Sequence, residues 1–133
     1  YRGAYRFKNH FFGMVGELDS KGEEFDCARI IDTLPQVKHW IRNIPTRPQT
    51  SFWLPTSTDR FYPDFVAELQ DGRILVIEYK GADRVTTDDT KEKRNIGELW
   101  AEKSGGKGIF LMAEKRDKQG RDTREQIRAA IVK

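Results

Sequence analysis

Apolar and polar positions along the chain fall into stretches of two periods, one helical and one extended. Glu24, Cys27, Ala28, Ile31 and Leu34 share one face of a helix. Ser20-Lys21-Gly22-Glu23 has the form of a capping box in front of it, and Pro35 ends it at about Leu34. Glu24 is the odd member, a carboxylate at the head of an apolar stripe. Val37 to Arg42 and Ser51 to Leu54 are short β-prone runs, separated by a loop that carries Pro45 and Pro48 and followed by a second loop, Pro55 to Asp59. Arg60 to Leu69 and Arg73 to Lys80 are the strongest strands, with Asp71-Gly72 marking a hairpin between them. Gly81 to Asp88 is polar and leaves the sheet. Asp89, with Glu92 three residues on, is the expected cap of a second helix that ends at Ser104 before Gly105-Gly106. Ile109 to Met112 is a continuous apolar run, as in a buried strand. Thr123 is the expected cap of a last helix through Ile131, with Ile127, Ala130 and Ile131 inward. Strands alternating with helices in this order predict an α/β domain, a mixed sheet with helices on both faces.

The hairpin register decides what chemistry the strands can assemble. Side chains alternate faces, so Leu75, Ile77 and Tyr79 share one face, and Val76, Glu78 and Lys80 share the other. A two-residue turn would set Asp64 opposite Tyr79. A three-residue turn, Gln70-Asp71-Gly72 with Gly72 left-handed, sets Asp64 opposite Glu78 instead and stacks Phe65, Ala67 and Leu69 on the apolar face. The second register is the expectation.

Two carboxylates and a lysine at the end of an apolar strand are costly unless paired, hydrated or ligating. Carboxylate oxygens suit Mg²⁺, which keeps waters and takes a phosphate oxygen, and a lysine beside it can stabilise charge on the phosphate in the transition state. The expected catalytic set is Asp64, Glu78 and Lys80, with Glu24 from the first helix and Lys93 from the second. The expected metal ligands are Asp64, Glu78, Glu24 and the backbone carbonyl of Tyr79. Lys93 heads a stripe with Ile96, Gly97 and Trp100. Lys91, Lys93 and Arg94, with Arg84, form a basic cluster suited to a DNA backbone.

Composition narrows the class without naming it. The chain has 133 residues, one domain's worth, and 37% hydrophobic residues that include three Trp, four Tyr and eight Phe, ample for a core. No apolar run approaches the roughly 20 residues that span a bilayer. Cys27 is the only cysteine, which excludes an intrachain disulfide and a thiolate zinc cluster and fits a reducing, cytoplasmic setting. His10 and His39 lack zinc spacing and are read as structural or as solvent-facing at a strand; Trp40, Trp53, Trp100 and Cys27 are read as core. A net charge of +3 permits a phosphate-bearing partner without demanding one. The chain starts without Met and is read as a single domain cut from a larger protein, with residues 1–18, aromatic and Gly-rich, connecting it to an upstream domain.

Tyr62-Pro63-Asp64, followed after a hairpin by Glu78-Tyr79-Lys80, resembles the PD-(D/E)xK nuclease signature. Glu24-Phe25-Asp26-Cys27-Ala28 through Asp32, Val37 to Asn43, Phe61 to Phe65, Glu78 to Gly81, Lys93 and Trp100 extend the likeness. Over roughly residues 20 to 112, the chain resembles the C-terminal nuclease domain of Res-type subunits of type III restriction enzymes and their helicase-linked relatives. The resemblance implies a restriction-endonuclease-like three-layer fold and Mg²⁺-dependent cleavage of double-stranded DNA, with Mn²⁺ able to substitute. It implies an ATP-dependent helicase or translocase domain upstream in the same polypeptide, where ATP would bind, and a modification subunit as a further partner. By the same resemblance Asp64 and Glu78 are the metal-site acids, Lys80 the catalytic lysine and Glu24 the first-helix acid. The alternative is a catalytically silent DNA-binding or scaffolding domain with the same fold.

Overall fold

A computed structural model describes residues 6–10, 22–43, 52–57, 60–81 and 88–132. Ser20, the Pro45–Pro48 loop, Ser51, Asp59, Arg84 and most of the proposed connecting segment lie outside the described residues. The elements run α1 (Glu23–Thr33), β1 (Val37–Arg42), β2 (Leu54–Pro55), β3 (Arg60–Phe61), β4 (Phe65–Leu69), β5 (Ile74–Lys80), α2 (Asp88–Lys103), β6 (Gly108–Glu114) and α3 (Thr123–Ile131). The main sheet has the order β1-β4-β5-β6, with β5 and β6 parallel and the other pairs antiparallel. It is the expected mixed sheet.

The helices divide between its faces. Leu75, Ile77 and Tyr79 join Phe25, Ile31, Trp40, Phe65 and Ile127 in one buried cluster, which places α1 and α3 on that face. On the opposite face α2 crosses β6 so closely that a Cβ on Gly97 would lie 2.5 Å from the Phe110 ring.

The hairpin takes the three-residue turn. Phe65 pairs with Ile77 and Ala67 with Leu75, while Gly72 sits at φ 91° and donates its amide to the Leu69 carbonyl. Arg73 donates its amide and its guanidinium to Asp71, holding that carboxyl below the usual aspartate range.

The predicted Arg60–Leu69 strand is broken. Pro63 has no N–H to give a ladder, so the chain leaves the sheet at Tyr62 to Asp64. The short β3 pairs instead with β2, Leu54 opposite Phe61, so Pro55 is strand rather than loop.

Other expectations are corrected at the ends of elements. Gly22, at φ 96°, precedes α1 with no side-chain cap. Asp88, not Asp89, is the first residue of α2. Asp122 caps α3 in a capping box with Glu125, while Thr123 is its first residue and donates its hydroxyl to the Glu114 carbonyl. Ile109 to Met112 are only half-buried, because β6 is the edge of the sheet. Both of its side-chain faces are covered by helices, and this makes every position apolar without making the strand central. Trp40 is core, Trp100 is half-buried, and Trp53 is 38% exposed under the Arg60 guanidinium rather than core. Among the described residues no helix is long and apolar enough to cross a membrane.

Candidate active site

The site forms where β4 and β5 part. Beyond Phe65 the chain turns out of the ladder, and the freed end of β5 meets Asp64. Asp64 Oδ2 accepts the Tyr79 backbone amide at 2.8 Å, and the Asp64 amide donates to Glu78 Oε1 at 3.2 Å. The two acids are thereby locked side by side, as the register argument expects. In a strand the N–H and C=O of one residue point to the same side, so the Tyr79 carbonyl shares this open edge with Asp64. The Tyr79 side chain points the other way, into the core, and donates to Glu23 Oε1 at 2.9 Å. Burial, and then this carboxylate partner, push its hydroxyl pKa up.

Glu78 is 5% exposed. Its second oxygen lies 3.8 Å from Lys93 Nζ, a longer separation than the roughly 2.7–2.9 Å of a charge-assisted hydrogen bond. Lys93 also pairs with Asp89 at 3.4 Å, one turn back on α2, and lies over the Phe61 ring. Lys80 is half-buried and follows Glu78 on the same face of β5.

Arg42 is the residue that sequence reasoning missed. Its Nη1 reaches the Asp64 carbonyl at 2.8 Å and Asp64 Oδ1 at 3.3 Å, and its Nη2 reaches Glu24 Oε1 at 2.7 Å. Arg42 thus ties Glu24 to the same guanidinium that meets Asp64. A β-bulge brings Arg42 there. The pairing of β1 with β4 shifts between Val37 and His39, so Trp40 and Arg42 face the same way as Val37. Strict alternation would have set them apart.

Asn43 was also missed. It is 2% exposed, donates to the carbonyls of Phe52 and Pro63 at 2.7 and 2.8 Å, and accepts the Phe52 amide at 2.9 Å. Its own amide donates to the Asp64 carbonyl at 2.8 Å. One buried amide thus fixes the segment that presents Asp64. Asp32 plays a similar part farther off, accepting the Lys8 and Asn9 amides and the Trp40 indole N–H. His10 accepts the Arg42 amide at 3.0 Å, the structural role expected of it. Cys27 is fully buried, and burial, with nearby acids, raises its thiol pKa.

The donor set suits a hard divalent cation held by two carboxylates. Asp64 and Glu78 each commit one oxygen to a backbone amide and turn the other toward a cation, Arg42 at 3.3 Å and Lys93 at 3.8 Å respectively. Mg²⁺ commonly takes one or two carboxylates and completes its shell with water and phosphate oxygens. Among the described residues no group of three or more His, Cys, Asp or Glu side chains is placed to hold a metal ion.

In comparisons with known proteins, no family model, no curated protein and no solved structure matches the chain.

Proposed function

We propose that this chain is a metal-dependent endonuclease domain of restriction-endonuclease-like fold. In this reading it hydrolyses phosphodiester bonds in double-stranded DNA, as part of a larger helicase- or translocase-type restriction polypeptide in the cytoplasm. The observation that carries the reading is the locked pair Asp64–Glu78 at the open end of β5, with Lys80 next on the same face. Asp64, Glu78 and the Tyr79 carbonyl would hold Mg²⁺, or Mn²⁺ in its place. Such an ion withdraws charge from a phosphate and acidifies a bound water. Lys80 orients the attacking water and meets the negative charge that grows on the phosphate oxygens. Lys93 offers a second cation to the phosphate from the α2 side. Glu24 acts by holding Arg42, and through it the Asp64 carboxylate, in place. The exposed Lys91 lies on the same helix and suits contacts to the DNA backbone.

One observation favours the silent alternative, in which the fold binds DNA or scaffolds without cutting. Arg42 and Lys93 already neutralise the two carboxylates, as they would in a domain that uses no metal. A titration separates the readings. Mn²⁺ added to the chain should enhance water-proton relaxation with one saturating site, and Asp64→Asn or Glu78→Gln should weaken binding at least tenfold. A wild-type chain that takes up no Mn²⁺ at millimolar concentration yet binds duplex DNA would support the silent domain.

A further inference from the structure

Among the described residues, β6 forms the outer edge of the sheet. In the parallel pairing with β5, the odd-numbered residues of β6 turn their backbone groups toward β5 and the even-numbered ones turn theirs outward. The outward groups at the two ends are satisfied. Gly108 donates to the Ser104 hydroxyl at 2.8 Å, and Glu114 exchanges bonds with the Gln126 amide at 3.0 and 2.8 Å. Between them, among the described residues, the N–H and C=O of Phe110 and Met112 have no partner and β5 is the only strand beside β6. A groove of about 470 Å³ runs along this edge. Its walls, from α2 and α3, include Ala101, Ala129 and Ala130, small enough to let another backbone approach.

We infer that this edge pairs with β6 of a second copy of the chain, antiparallel about a twofold axis at Leu111. That register sets Phe110 opposite the partner subunit's Met112 on both sides of the axis, so all eight open groups pair in four hydrogen bonds. Gly108 falls opposite the partner subunit's Glu114, where both edges are already capped, and no open group is left over. A strand of unrelated sequence would use the same four groups of this chain without that coincidence. The charges agree as well. Gly97 lies over Phe110, and Arg94 reaches the Met112 sulfur at 3.6 Å, so α2 runs antiparallel to β6 and its midpoint between Arg94 and Glu98 lies near the level of Leu111. The same axis therefore brings Arg94 toward Glu98 of the partner subunit, an opposite-charge pair made twice. The two four-stranded sheets become one of eight strands, and an aggregation-prone edge is covered.

Sedimentation equilibrium with amide hydrogen exchange tests this on the whole chain. The mass should double with rising concentration, and the Phe110 and Met112 amides should become protected in step with it. Arg94→Glu and Glu98→Arg should each weaken association about tenfold, and the double exchange should restore it, with circular dichroism confirming the fold of each variant. Met112→Pro, which removes one outward N–H, should abolish the dimer. A chain that stays monomeric up to millimolar concentration overturns the inference. So does a dimer in which the Phe110 and Met112 amides still exchange freely, or one indifferent to the charge exchange.

Discussion

Arg42 is the residue around which the candidate site is organised. It links Glu24 on α1 to Asp64 beside β5, and its guanidinium is 13% exposed at the side chain. Glu24, Arg42, Asp64, Glu78, Lys93 and Asp89 form a run of acids and bases across the end of the sheet, from α1 to α2. Exposed ion pairs contribute little, but a charge as buried as Glu78 needs its partners. Tyr79 shows how the core beneath the site responds to pH. Its hydroxyl pKa is raised in the folded chain above the ordinary tyrosine value of 10.0. The folded form therefore holds this proton more tightly than the unfolded form. The resulting stability is fully present below pH 10 and is lost as pH rises through the raised folded value. Tyr79→Phe should remove that share of the alkaline loss, and at neutral pH should cost about 1 kcal/mol as Glu23 loses a donor. Urea unfolding at pH 7 and at pH 11 measures both, and an alkaline loss of stability unchanged by the substitution would refute the assignment. Asp64, Glu78, Lys80 and Glu24 were legible as single residues because charged groups stand out at the ends of apolar runs. Arg42 and Asn43 were not. An arginine and an asparagine at the end of a strand look like surface residues until the chain folds back on them.

At the scale of elements, close approach between α2 and β6 rests on one missing side chain. Gly97→Ala puts a methyl group within 2.5 Å of the Phe110 ring, against a sheet that cannot easily move. Overpacking of this kind should cost about 1–3 kcal/mol, read as a lower urea midpoint with an unchanged slope. A neutral or stabilising result would mean that α2 sits farther from the sheet. The same scale explains what the pattern of residues could and could not reveal. The Gly72 turn fixed the β4–β5 register, because only one turn length puts Phe65, Ala67 and Leu69 on the face of Leu75 and Ile77. The β1 bulge left no such trace, since Val-Lys-His-Trp-Ile-Arg reads equally well in either phase. Pro63 did signal a break, but the long β-prone run around it masked the interruption. The edge position of β6 was hidden for a different reason: helices on both faces demand the same apolar run that a central strand has.

For the whole molecule, three layers place the candidate chemistry at one end of a mixed sheet, where an antiparallel strand leaves and a parallel pair continues. Division of the helices between the two faces gives the site one wall from α1 and another from α2, so its acids and bases come from both. The layered architecture followed from the order of helical and extended periods. The site could be anticipated only in part, since its acids meet through backbone amides that a residue pattern does not show. The central claim is that Asp64, Glu78 and Lys80 cleave DNA with a metal ion. Single-turnover cleavage of supercoiled plasmid in Mg²⁺, by the wild-type chain and by Asp64→Ala and Lys80→Ala, measures it most directly. Each substitution should slow cutting by about 10²-fold or more, with DNA binding retained. Equal cutting by the variants, or intact plasmid with the wild type, would contradict it.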